Sequence, residues 1–165
     1  MRKQRSVGLV LGLAVVSALG VAVPAGATSD KKNYPGTTCQ PGGVGATDLS
    51  YNYDDGYVAN VTGGTRHAVC PVVADCGGMY STGHWVYVYQ TTANAIGCRM
   101  CRYDRSTGSG GCGSRYSTAT TYSYARIDVT NAYTSSMTYG YSYFDCEMSG
   151  SGTTRISAYG VDENC

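Results

Sequence analysis

Residues 98–112 read CRMCRYDRSTGSGGC, two cysteines three positions apart and a third beyond a run of Gly and Ser. Three chemistries compete for that pattern: half of a zinc site, a redox pair, or part of a disulfide framework. A four-cysteine zinc site needs two closely spaced pairs. Cys98 and Cys101 are the only C-x-x-C pair, and His67 and His84 are the only histidines. A thioredoxin-like motif opens a helix within a βαβ unit, whereas AIGCRMCRY alternates like a strand and runs into a Gly-rich turn. The disulfide framework is what remains, with neither a metal nor a cofactor expected.

Strand geometry assigns partners. Side chains alternate between the two faces of a strand, so Ile96, Cys98 and Met100 form one apolar set, and Arg99 and Cys101 point the other way. Cys101 therefore bridges forward to Cys112 and closes a hairpin. Cys98 points inward, as does Cys146 within YFDCEM, where Phe144, Cys146 and Met148 are the apolar set, and these two form a buried bridge. Cys39 with Cys70, and Cys76 with Cys165, follow by elimination. Eight cysteines, all beyond residue 38, suit an exported chain of this size.

The beginning of the chain agrees with that compartment. A basic start, MRKQRS, leads into the apolar VGLVLGLAVVSALGVAV and then PAGA, where Ala25 and Ala27 have the small-x-small spacing of signal peptidase cleavage. Residues 1–27 read as a signal peptide, 28–38 as a flexible leader and 39–165 as one domain. Cleavage removes three of the 12 basic residues and leaves all 11 acidic ones, taking the net charge from +1 to −2. That balance offers nothing to nucleic acid or to an anionic membrane. The expected product is secreted.

The remaining sequence repeats one grammar. ATDLSYNY, GYVANV, TRHAVCPVV, GHWVYVYQ, NAIGCRMCRY, TTYSYARIDV, TYGYSYFDCEM and TRISAYGVDE read as strands between DDG, TGG, CGG, STG, STGSGG and SGSG turns. About eight short strands in one domain, with no capped 3.6-residue stripe, predict an all-β fold: a single antiparallel β-sandwich, jelly-roll or Ig-like, stapled by disulfides.

The order of GYVANV, AVCPVVAD, AIGCRM, YFDCEM and terminal RISAYGVDEN resembles a family of small secreted bacterial proteins of unknown function. The likeness covers most of the chain beyond the signal peptide, and Cys76, Cys101, Cys112 and Cys165 go beyond the family's pattern. The resemblance implies an extracellular β-sandwich and carries over no catalytic residue.

Catalytic motifs are absent. His67 and His84 lie at strand edges beside no nucleophile motif such as G-x-S-x-G. Scattered carboxylates, Asp145 and Glu147 among them, leave a hydrolase with an unrecognised site as the alternative reading. Asp54 and Asp55 shape a turn with Gly56, and Asn60-Val61-Thr62 matches a glycosylation sequon.

What rises above this background is aromatic placement. By alternation Trp85, Tyr87 and Tyr89 oppose Val86 and Val88. Tyr122 and Tyr124 oppose Ala125, Ile127 and Val129, and Tyr139, Tyr141 and Tyr143 oppose Phe144, Cys146 and Met148. With the aliphatic set inside, these rings face outward. Such rings either stabilise a wet sheet face through cross-strand pairs or form a non-catalytic platform for carbohydrate, for a cell-surface protein or for surface assembly.

Overall fold

Alternation of branched and aromatic residues with polar ones makes each long segment a half-buried strand, and each of the eight segments expected as strands holds one within its described residues. The computed structural model describes residues 29–43, 48–73, 83–130, 140–150 and 153–164. In chain order the strands are β1 (Ser29–Pro35), β2 (Gln40–Gly42), β3 (Leu49–Asn52), β4 (Tyr57–Asn60), β5 (Arg66–Val72) and β6 (His84–Gln90). They continue with β7 (Ile96–Asp104), β8 (Ser109–Cys112), β9 (Tyr116–Ser117), β10 (Ser123–Val129), β11 (Gly140–Met148) and β12 (Thr154–Asn164). The only helical element among the described residues is a 3₁₀ turn at Gly36–Thr38. Cys76, Tyr139, Cys165 and the segment 1–27 read as a signal peptide lie outside the described residues.

Two six-stranded sheets pack face to face. Sheet A runs β10-β6-β12-β4-β3, with β1 also on β12; sheet B runs β2-β5-β11-β7-β8, with β9 also on β7. Every ladder is antiparallel. From β4 to β7, and again from β10 to β12, successive strands alternate between the sheets. The inner orders β4-β12-β6-β10 and β5-β11-β7-β8 are those of a jelly roll, which decides between the two topologies the sequence left open. Val58, Val86, Val88, Ile127, Ile156 and Tyr159 from sheet A meet Cys70, Ile96, Met100, Phe144, Cys146 and Met148 from sheet B in one core.

A bulge adjusts that core. Between Ile156 and Ala158 the register of β12 against β6 slips by one residue, so Ile156 and Tyr159 both point inward despite their odd spacing. The Tyr159 hydroxyl donates to the Pro71 carbonyl of sheet B at 2.7 Å and lies 2.8 Å from the Thr38 hydroxyl. Burial pushes this phenol up to about 12.

The flexible leader expected at residues 28–38 is corrected: Ser29–Pro35 is β1, paired along the last half of β12. No apolar alternation marks SDKKNYP as a strand. Its partners hold it instead. Tyr34 stacks on Tyr159 at 5.0 Å, and Lys32 Nζ lies 3.2 Å from the buried Glu163 carboxylate.

Cys39–Cys70, Cys98–Cys146 and Cys101–Cys112 are formed. Cys98 opposes Cys146, and Cys101 opposes Cys112, directly across neighbouring strands. The three bridges tie the residue just before β2 to β5, β11 to β7 and β7 to β8, all on sheet B. Such bridges fit an oxidising compartment, and no helix among the described residues is long and apolar enough to cross a membrane.

Candidate functional site: the outer face of sheet A

The aromatic residues singled out in the sequence divide between the two outer faces. β6 and β10 are neighbours in sheet A, so Tyr87, Tyr89 and Tyr124 share its outer face, with Tyr122 in the turn just before β10, while Tyr141 and Tyr143 on β11 lie on the opposite side of the sandwich. Alternation specifies in or out, but not which sheet. The connections that cross between sheets decide that.

On sheet A, Tyr124 sits directly across from Tyr89, their ring centroids 5.3 Å apart. On the other side of Tyr89 is Arg155 of β12, its guanidinium carbon 5.4 Å from the Tyr89 ring and 4.6 Å from that of Tyr57 on β4. The Tyr57 hydroxyl in turn accepts from Asn52 Nδ2 of β3 at 3.3 Å. Tyr124, Tyr89, Arg155, Tyr57 and Asn52 thus form one contact strip across five strands, which at ~4.8 Å per strand is ~19 Å long. A guanidinium held between two π-faces is fixed electrostatically as well as sterically. Tyr124 and the neighbouring Tyr87 are 68% and 40% exposed, while Tyr89, Arg155, Tyr57 and Asn52 are half-buried.

Trp85 belongs to the same face and is nevertheless buried. It faces Gly160 across the ladder, and a Cβ on Gly160 would come within 2.4 Å of the indole, so the ring lies flat on bare backbone. The Arg126 guanidinium covers it at 5.2 Å. Trp85 is therefore part of the support for the platform and not part of its contact surface.

Tyr122 caps one end at 77% exposure with φ of 51°, a left-handed conformation unusual for a bulky residue. Its amide donates to the Gln90 carbonyl at 2.8 Å. The Gln90 side chain, wholly buried, donates to the Thr118 and Thr120 carbonyls at 2.7 and 2.6 Å and accepts from the Ile96 amide. One amide side chain so determines the loop that presents Tyr122.

The remaining expected positions have structural settings. His84 is buried in β6 opposite Val129. His67, on the outer face of sheet B, lies with Nδ1 3.0 Å from Asp145 Oδ1. Asn60 of the sequon is buried, donating to the Gly64 and Met148 carbonyls and accepting from Thr62, so its amide nitrogen is engaged in the fold. Asp55 bonds Asn52 in the Asp54-Asp55-Gly56 turn, where Gly56 takes φ of 73°. No group of three or more His, Cys, Asp or Glu suited to a metal occurs among the described residues.

Arg155 and Tyr57 were missed by sequence reasoning. Arg155 is a single cation in TRISAYGV, and only the pairing of β12 with both β6 and β4 places it between two rings. Its one sequence signal is alternation, which puts it opposite inward Ile156.

No protein-family profile and no curated protein matches the chain. Among solved structures, a family 29 carbohydrate-binding module complexed with cellulohexaose superimposes with a TM-score of 0.48 at 12% identity, over 82% of this chain and 92% of that one. A second structure of such a module gives 0.48 at 10% identity over 83% and 90%. A complex with mannohexaose gives 0.46 at 10% identity over 83% and 94%.

Proposed function

We propose that this protein is a non-catalytic, secreted carbohydrate-binding domain that lays a polysaccharide across the outer face of sheet A. What carries the reading is the unbroken strip from Tyr124 through Tyr89 and Arg155 to Tyr57. A pyranose has an apolar face bounded by hydroxyls. Rings supply the matching flat apolar surface, and phenol hydroxyls, Arg155 and Asn52 supply donors and acceptors at its margins. The platform is held in place before any ligand arrives, by sheet pairing, by the cation–π sandwich and by the Gln90-anchored loop, which lowers the ordering cost of binding.

The test is retention on insoluble neutral polysaccharides (cellulose, mannan, xylan and chitin), comparing wild type with a Tyr87→Ala/Tyr124→Ala variant. Wild type is retained on at least one of them, and the variant is lost from it while keeping its melting temperature. Absence of retention on all four, or retention unchanged in the variant, would refute the proposal.

A further inference from the structure

The second outer face is built differently. Along β11 the outward positions are Tyr141, Tyr143, Asp145 and Glu147, a row of ~20 Å at strand rise. Tyr141 opposes Tyr103 of β7 at 5.6 Å between ring centroids, and the two are 51% and 36% exposed. Tyr143 follows at 6.0 Å from Tyr141, opposite Cys101 with its bridge to Cys112. Beyond the rings lies a polar array centred on Asp145. This carboxylate, only 8% exposed, receives Arg99 Nε at 2.8 Å, Arg115 Nη2 at 3.0 Å and His67 Nδ1 at 3.0 Å. Arg115 Nη1 also donates to the Gly97 carbonyl at 2.8 Å and lies 3.6 Å from Glu147.

Two properties of this array indicate a ligand class. Asp145 orients three donor-bearing side chains while using only part of each: Arg99 and His67 stay 37% and 42% exposed, with the Arg99 Nη groups and His67 Nε2 beyond those contacts. The permanent charges of the array are also balanced, Arg99 and Arg115 against Asp145 and Glu147. A balanced surface mixing fixed donors and an exposed acceptor, beside two open rings, complements an uncharged polyhydroxylated chain and gives a polyanion no net attraction. Cys98–Cys146 and Cys101–Cys112 tie the three strands beneath it.

We infer that the outer face of sheet B is a second glycan site, with Tyr103 and Tyr141 as the stacking rings and the Asp145-anchored Arg99, Arg115 and His67 as hydroxyl partners. The sandwich then holds two neutral sugar chains on opposite sides and cross-links them. The inference shares its ligand class with the sheet A proposal but stands on separate residues.

Calorimetric titration of the oxidised protein with cellohexaose and mannohexaose separates the two. Wild type takes up two molecules of at least one probe per chain. A Tyr103→Ala/Tyr141→Ala variant takes up one, and the Tyr87→Ala/Tyr124→Ala variant also takes up one. Should the double sheet B variant fail to fold, Tyr141→Ala alone, at an exposed ring, weakens the second site at least tenfold. Uptake unchanged by the sheet B substitutions, or abolished entirely by the sheet A pair, overturns the second site and leaves the first. A single site lost only on sheet B substitution sustains this inference and refutes the sheet A proposal. A wild type that binds neither probe overturns the second site, and the sheet A proposal then stands or falls on the four-polysaccharide retention test.

Discussion

Sheet B is stitched by sulfur at three of its four successive strand pairs, while sheet A among the described residues has no such bridge and relies on its ladders, its share of the core and the aromatic strip on its surface. The two halves of one sandwich therefore resist unfolding by different means. A disulfide acts mainly by limiting the unfolded chain. Arg155 between two rings, or Trp85 on Gly160, acts only in the folded state. Among the described residues, covalent staples lie in sheet B and the longest aromatic strip lies on sheet A.

That contrast is broken most severely at Cys98–Cys146. Its 48-residue separation makes the bridge worth about 4 kcal/mol in the chain-entropy picture, against about 3 kcal/mol for the 11-residue Cys101–Cys112 loop. Replacing both Cys98 and Cys146 by Ala should lower the melting temperature more than replacing Cys101 and Cys112, as calorimetry would read. In sheet A the counterpart is Gly160→Ala, which drives a methyl into the Trp85 indole and the Lys32 carbonyl. A loss of about 1–3 kcal/mol in denaturant titrations is expected, with a change in tryptophan fluorescence.

The Asp145 array is of similar size and adds a pH signature. Burial alone would raise the Asp145 carboxyl. The His67 and Arg99 hydrogen bonds and the Arg115 charge outweigh it and hold the group below the usual carboxylate range. Because the folded value is the lower one, the stabilisation is complete above the unfolded carboxylate range and is lost as pH falls through the folded value. Asp145→Asn should cost about 1–3 kcal/mol at neutral pH, with the gap to wild type closing in acid; a gap independent of pH would contradict the assignment. The smallest effect is at Tyr122. Tyr122→Gly relieves a left-handed backbone, so stability should hold or rise by about 1 kcal/mol while glycan retention weakens.

Much of this was legible from the two-residue period of strands. It separated Cys98 from Cys101 and paired each with the partner it has. It also implied more than was drawn from it: once Cys98 is bridged to Cys146 in an antiparallel pair, Arg99 must oppose Asp145, and the polar array of sheet B follows. Other features had no local signal. SDKKNYP becomes β1 because β12 is long enough to offer it an edge and Glu163 and Tyr159 offer partners. Trp85 is outward by alternation yet buried, because the residue across the ladder is glycine. Which tyrosines share a face depends on how strands cross between sheets, which no window of sequence contains.

The most direct measurement is residue-resolved NMR titration of the oxidised protein with a neutral hexasaccharide. Perturbations at Tyr57, Tyr87, Tyr89, Tyr124 and Arg155, saturating together, are what a glycan lying across sheet A produces. Saturable binding that leaves β4, β6, β10 and β12 unperturbed would contradict it.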